Sequence, residues 1–267
     1  MKTGRRPDSL LKFLFIFSCV LFSYQAVAAG KTPTQDAQTI VTKALDVTGD
    51  GKVDSISIKG VPYEQGSKFL KEIKLVVNGG KAQKVSVSLD AGYEPKLQFA
   101  DFNRDGVDDV FITIPTGSSG GLVNSYAYTF LNDKAFDLTV PPPVAITGQF
   151  LDNYKAAISV PLQKTITLDV SDRKKDYERI GLYQLNGKLN EPTEVMVDPY
   201  SVLNITDIQG LGQGLKGIQR VSGAYHADGL ADVSSEWVYR KGKWELLLTK
   251  TKAFTDFETT SGHKENK

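Results

Sequence analysis

Cysteine is nearly absent: Cys19 is the one thiol in 267 residues. A single thiol has no partner within its own chain, so no internal disulfide stabilises the fold. Histidine is almost as scarce, with only His226 and His263, and neither an HExxH nor a CxxC spacing occurs. Those patterns carry zinc sites, so zinc chemistry has no sequence support. Neither sign of charge is in excess, 32 Lys and Arg standing against 31 Asp and Glu. The chain therefore lacks the electrostatic footprint of a partner for nucleic acid or for an anionic membrane.

Long apolar runs are missing too. The longest, Phe13 to Phe22, falls short of the roughly 20 residues that cross a bilayer. It follows Lys2, Arg5, Arg6 and Lys12 and precedes Ala26-Val27-Ala28, which is the pattern of a secretory signal peptide over residues 1–28. Cleavage there removes Cys19 and changes the formal charge from +1 to −2. Two other export readings fit poorly. A lipid anchor at Cys19 wants a small residue where Phe17 stands, and twin-arginine export wants apolar positions where Pro7 and Asp8 follow Arg6. A secreted or cell-envelope protein without a membrane span is expected.

What the chain does have is short strands. Alternating or β-branched runs recur at Ser55 to Ile58, Glu72 to Val77, Lys84 to Leu89, Val110 to Ile114, Tyr126 to Leu131, Thr165 to Val170, Gly181 to Leu185 and Trp237 to Leu248. Asn78-Gly79-Gly80, Asn132-Asp133, Asn186-Gly187 and Lys241-Gly242 separate or flank them with residues that accept positive φ. Thr34 to Ala44 and Arg173 to Arg179 are candidates for short helices. The fold class is all-β over residues 29–258, with a disordered polar tail at 259–267.

Two stretches repeat in register. Asp46 to Asp54 reads DVTGDGKVD and Asp101 to Asp109 reads DFNRDGVDD, and each runs straight into a strand. Asp207 to Leu215 keeps the first Asp and the sixth-position Gly but carries Leu where the fifth and ninth acids stood. The starts lie 55 and then 106 residues apart, so a further unit is expected near Asp152. A period of about 50 residues suggests repeated sheets.

Oxygen side chains at positions one, three, five and nine, with a main-chain carbonyl at seven, suit Ca²⁺, which takes about six to eight oxygens. In the second loop these are Asp101, Asn103, Asp105, the Val107 carbonyl and Asp109. In the first they are Asp46, Thr48, Asp50, the Lys52 carbonyl and Asp54, with Thr48 the weaker third ligand. An EF-hand needs Glu at position twelve and flanking helices, whereas Ser57 and Ile112 stand there inside strands.

The two loops resemble the calcium loops of FG-GAP or VCBS-type repeats, the blades of integrin-alpha-like β-propellers. The resemblance implies Ca²⁺ at the positions named and a propeller-like or incomplete propeller of about four repeat units, with a β-sandwich-like arrangement as the alternative. Ile40 to Leu45, as a strand, would pair with the Trp237 to Leu248 hairpin.

Other motifs carry less. Gly117 to Gly121 matches G-x-S-x-G at Ser119, but that motif needs a helix after it, and Leu122 to Leu131 reads as strand. Tyr126, Tyr128 and Phe130 share one strand face, and Trp237 and Trp244 flank a hairpin turn. They form either a sugar or peptide platform or ordinary packing, and packing is the commoner use. The expected function is a calcium-binding binding or structural module with an extracellular protein or glycan as partner. The alternative is a secreted hydrolase of polysaccharide or peptidoglycan, and no catalytic residue is assigned.

Overall fold

The computed structural model describes residues 36–79, 84–254 and 257–259. The expected signal peptide, Cys19 and His263 lie outside them. Four open antiparallel sheets account for the strands. The first is β1 (Gln38–Leu45), β2 (Asp54–Pro62), β3 (Phe69–Asn78) and β4 (Lys84–Leu89) in that order, with β5 (Gly92–Tyr93) on the start of β3. The second is β6 (Lys96–Ala100), β7 (Asp109–Pro115), β8 (Val123–Thr129) and β9 (Phe136–Asp137). The third is β10 (Thr147–Leu151), β11 (Lys155–Ser159) and β12 (Ile166–Asp169), completed by β17 (Phe257–Thr259). The fourth is β13 (Met196–Ile208), β14 (Gly212–Ser222), β15 (Gly229–Arg240) and β16 (Lys243–Ala253). Among the described residues one short α-helix, α1 (Lys174–Arg179), sits where a helix was expected.

Several expectations need correction. Gln38 to Leu45 is strand rather than helix, and β1 pairs with β2 instead of the last hairpin. The hydrogen-bonding edge of β2 is the nearer partner, reached by an eight-residue connection. Gly181 to Leu185 forms no strand. Gly181 has φ +79°, and the segment keeps a single bridge, Tyr183 to Leu189. The polar tail begins inside β17 at Thr259, and its other residues lie outside those described.

Packing follows the strand pattern. β7 carries Val110, Phe111, Ile112 and Ile114, all fully buried. Val110, Ile112 and Ile114 meet Ile56, Ile58, Leu75 and Val77 of the first sheet, while Phe111 faces a second core shared with the third and fourth sheets. Burying each such side chain stabilises by about 1.5–3 kcal/mol, so the second sheet is the one held from both faces.

In the fourth sheet, Gly217 lets Tyr200 lie across β14. A Cβ there would come 2.2 Å from Tyr200 Cε1, and the ring is fixed by its hydroxyl donating to the Pro142 carbonyl at 2.8 Å. Gly217→Ala is expected to lower stability by about 1–3 kcal/mol through overpacking. A urea melt reads this as a lower midpoint with unchanged slope, and an unchanged midpoint would show that the ring moves aside freely.

Candidate metal centre

Each repeat loop joins the first and second strands of its sheet. Asp46 to Asp54 connects β1 to β2, Asp101 to Asp109 connects β6 to β7, and Gln209 to Leu211 connects β13 to β14. Near Asp152, where a further unit was expected, the chain makes the β10–β11 turn, in which Asn153 and Tyr154 take φ of 63° and 55°. There Asp152 accepts the Leu189 N–H at 3.0 Å instead of belonging to an acidic loop.

In the second loop, Asp101 accepts from the Asp105 N–H at 3.1 Å through Oδ1 and from the Gly106 N–H at 3.0 Å through Oδ2. Asn103 Oδ1 accepts from the same Asp105 N–H at 2.9 Å, so two side-chain oxygens converge on one amide. Asn103 Nδ2 donates to Asp105 Oδ2 at 2.9 Å, and the Val107 N–H donates to Asp105 Oδ1 at 2.9 Å. Gly106, at φ +87°, supplies the turn, a conformation L side chains rarely adopt. Asp109 is fully buried at the foot of β7. Its Oδ2 accepts from the Phe102 N–H at 2.9 Å and the Asn103 N–H at 3.4 Å, while its Oδ1 is buried with no hydrogen-bond partner. Burial pushes the Asp109 carboxyl up to about 7, against the two amides and the Thr129 hydroxyl, with the nearby Asp105 charge adding to the rise.

The first loop repeats the winding but satisfies itself. Asp46 accepts from the N–H groups of Thr48, Gly49 and Gly51 at 3.2, 2.7 and 2.8 Å. Burial works against its charge, but these amides outweigh it and hold the carboxyl below the ordinary range. Asp50 accepts from the Lys52 N–H at 2.8 Å. Buried Asp54 has donors on both oxygens: the Val47 and Thr48 amides at 2.9 and 3.0 Å on one, the Thr48 hydroxyl at 3.4 Å on the other. Among the described residues, no group of three or more His, Cys, Asp or Glu side chains is arranged to hold a metal. The carboxylates are folded onto their own loop amides.

The loops touch one another. A Cβ on Gly49 would lie 3.0 Å from Val107 Cγ2 and 2.9 Å from Leu131 Cδ1. On the other side, the Arg104 guanidinium donates to the Leu211 carbonyl, placing a cation at the turn that has lost its acids.

The remaining motifs are resolved by position. Ser119 is exposed in a loop that leads into β8, so the strand-to-helix elbow of a hydrolase is missing. Tyr128 and Phe130 are core, and Tyr126 donates to Asp90 Oδ2 at 2.8 Å. Trp237 is buried, and Trp244 meets Tyr239 edge to face at 5.3 Å, a cross-strand pair.

A family model described as the YybI C-terminal domain matches residues 144–252. The uncharacterized protein YybI of Bacillus subtilis (strain 168) is 30% identical over 214 residues, covering 77% of this chain and 81% of that protein. The chain belongs to the YybI family. No solved structure matches it. The YybI C-terminal match covers β10 to β12 of the third sheet and all but the last residue of the fourth, leaving the two acidic loops in the preceding part of the chain.

Within that YybI C-terminal region lies a buried polar group that no sequence pattern singled out. Asp228 accepts from the Tyr177 hydroxyl at 2.6 Å and the Ala224 N–H at 3.0 Å on Oδ2, and Arg173 Nε lies 3.0 Å from Oδ1. Burial first and then the Asp228 carboxylate push the Tyr177 hydroxyl up. The group pins α1 to the β14–β15 connection. Its only sequence signal is the turn-forming Ala227-Asp228-Gly229, which gives no hint of a partner some fifty residues away.

Proposed function

We propose that this YybI-family protein is a secreted calcium-binding β-repeat module whose second acidic loop clamps the β6–β7 hairpin around Ca²⁺. The observation that carries the reading is Asp109 Oδ1, a fully buried carboxylate oxygen that makes no well-formed hydrogen bond even though the Thr129 hydroxyl lies near the carboxyl. Such an atom is expensive to leave unsatisfied, by about 1–3 kcal/mol or more, and a cation satisfies it. Asp101, Asn103, Asp105, the Val107 carbonyl and Asp109 are the residues that would hold the ion, which would neutralise the loop's carboxylates. Asp54 of the first loop has no such oxygen to offer, so Asp46, Thr48, Asp50 and the Lys52 carbonyl make the weaker set.

A loop at the head of each of two sheets, and a turn at the same place in the other two, supports a propeller-like set of four repeats. The face-to-face packing of the first two sheets suits a sandwich equally. The N-terminal pattern supports export. In calorimetric titration with CaCl₂, one site with Kd of about 10⁻⁴ to 10⁻³ M is expected. Asp105→Ala should abolish it and Asp50→Ala should not. Absence of saturable heat in the parent protein would refute the reading.

A further inference from the structure

We propose that the end of the fold opposite the acidic loops binds a saccharide on a ledge formed by Tyr63, Phe69 and Tyr93. This names a partner for the binding module proposed above, but it does not use the ion, because Asp46 to Asp54 and the turn at 63–68 lie at opposite ends of β2.

The ledge is built, not incidental. Phe69 packs edge to face on Tyr63 at 6.5 Å and on Tyr93 at 5.2 Å. Tyr63 is 67% exposed and Tyr93 37% exposed. The turn that displays Tyr63 is tied down by the Tyr63 N–H donating to the Phe69 carbonyl at 2.9 Å and the Phe69 N–H donating to Ser67 Oγ at 3.1 Å. Gly117 closes the other side. A Cβ there would fall 2.4 Å from Tyr93 Cε2, so only glycine lets the serine-bearing loop lie against that ring.

Polar groups border the rings. Lys68 and Glu94 pair at 3.2 Å with side chains 79% and 70% exposed. So exposed a pair adds little stability, yet it bridges the segments that carry Phe69 and Tyr93. Ser118 and Ser119 are exposed on the adjoining loop. A pyranose has an apolar C–H face, which stacks on aromatic rings, and a rim of hydroxyls that both donate and accept. The ledge offers rings for the first and an ammonium, a carboxylate and hydroxyls for the second. A proline-rich peptide wants an aromatic-lined groove, whereas the Tyr63 ring is largely exposed and meets Phe69 edge to face.

The test is NMR titration at saturating calcium with two probes, cellohexaose and chitohexaose. At least one is expected to bind, with about a tenfold weakening in Tyr63→Ala and no change in Phe136→Ala, which removes an exposed ring elsewhere. Tyr63→Ala should melt with the parent, since its ring is exposed. The proposal is overturned if neither probe binds, if binding survives both Tyr63→Ala and Tyr93→Ala, or if a polyproline peptide binds the ledge and the sugars do not. Asp109→Asn should lose calcium but keep the saccharide, so either reading can fail alone.

Discussion

Asp228→Ala is expected to lower the unfolding free energy by about 3–5 kcal/mol, the usual result of removing one partner of a buried ion pair. The carboxylate is the common acceptor for Arg173, Tyr177 and the Ala224 amide. Arg173 already has one buried nitrogen, Nη1, without a partner, so losing Asp228 leaves a nearly buried guanidinium with little besides the Gly229 carbonyl at 3.0 Å. For a chain of this size each kcal/mol moves the melting temperature by about 2–4 °C, and a drop of about 10 °C should appear in a thermal melt. Tyr177→Phe removes only a hydroxyl and should cost about 1–2 kcal/mol. Because both changes act on one network, the double variant should lose less than the two effects combined. A loss under 1 kcal/mol for Asp228→Ala would mean that α1 is held by its apolar face alone.

Calcium should raise stability by about 2.7 kcal/mol when its concentration is a hundred times Kd, readable as a melting-temperature increase that EGTA reverses. Asp109→Asn separates this from general salt effects. The amide keeps a carbonyl for the Phe102 N–H and replaces an uncompensated carboxylate oxygen by a neutral group. The variant should therefore match or exceed the parent in EGTA and gain nothing from calcium. Equal calcium responses in the two proteins would remove the second loop as the binding site.

The sequence made some elements legible for local reasons. Lys84 to Leu89 is a strand between clear turn signals, and Lys241-Gly242 takes φ of 50° and 79° in the β15–β16 turn. Acidic residues and glycines marked the loops at Asp46 and Asp101 and the turn near Gly210, because loop chemistry is written in consecutive residues, and the spacing pointed to the neighbourhood of the turn near Asp152. β13 was harder, since Pro199 interrupts a strand of 13 residues whose register shifts twice between Val197 and Val202. The ledge and the Asp228 group were invisible for another reason. Both join residues that meet only after the chain has folded, and neither has a period to betray it. Among the candidate ligands, the sequence shows matching oxygen-bearing positions in the two loops but could not say that both Asp54 oxygens would be satisfied by their own loop while Asp109 Oδ1 would not.

The double-sided burial of β7 has a kinetic consequence. Amides in a strand paired on both edges and covered on both faces exchange with solvent only when the whole domain opens, while exposed edge strands open locally at almost no cost. The amides of Val110 to Ile114 should therefore be the slowest to take up deuterium, and those of β1, largely exposed along its length, among the fastest. Asp109 is the first residue of that slowest strand. The acidic loop is thus mounted on the strand expected to fluctuate least, which would hold the buried Asp109 oxygen in place.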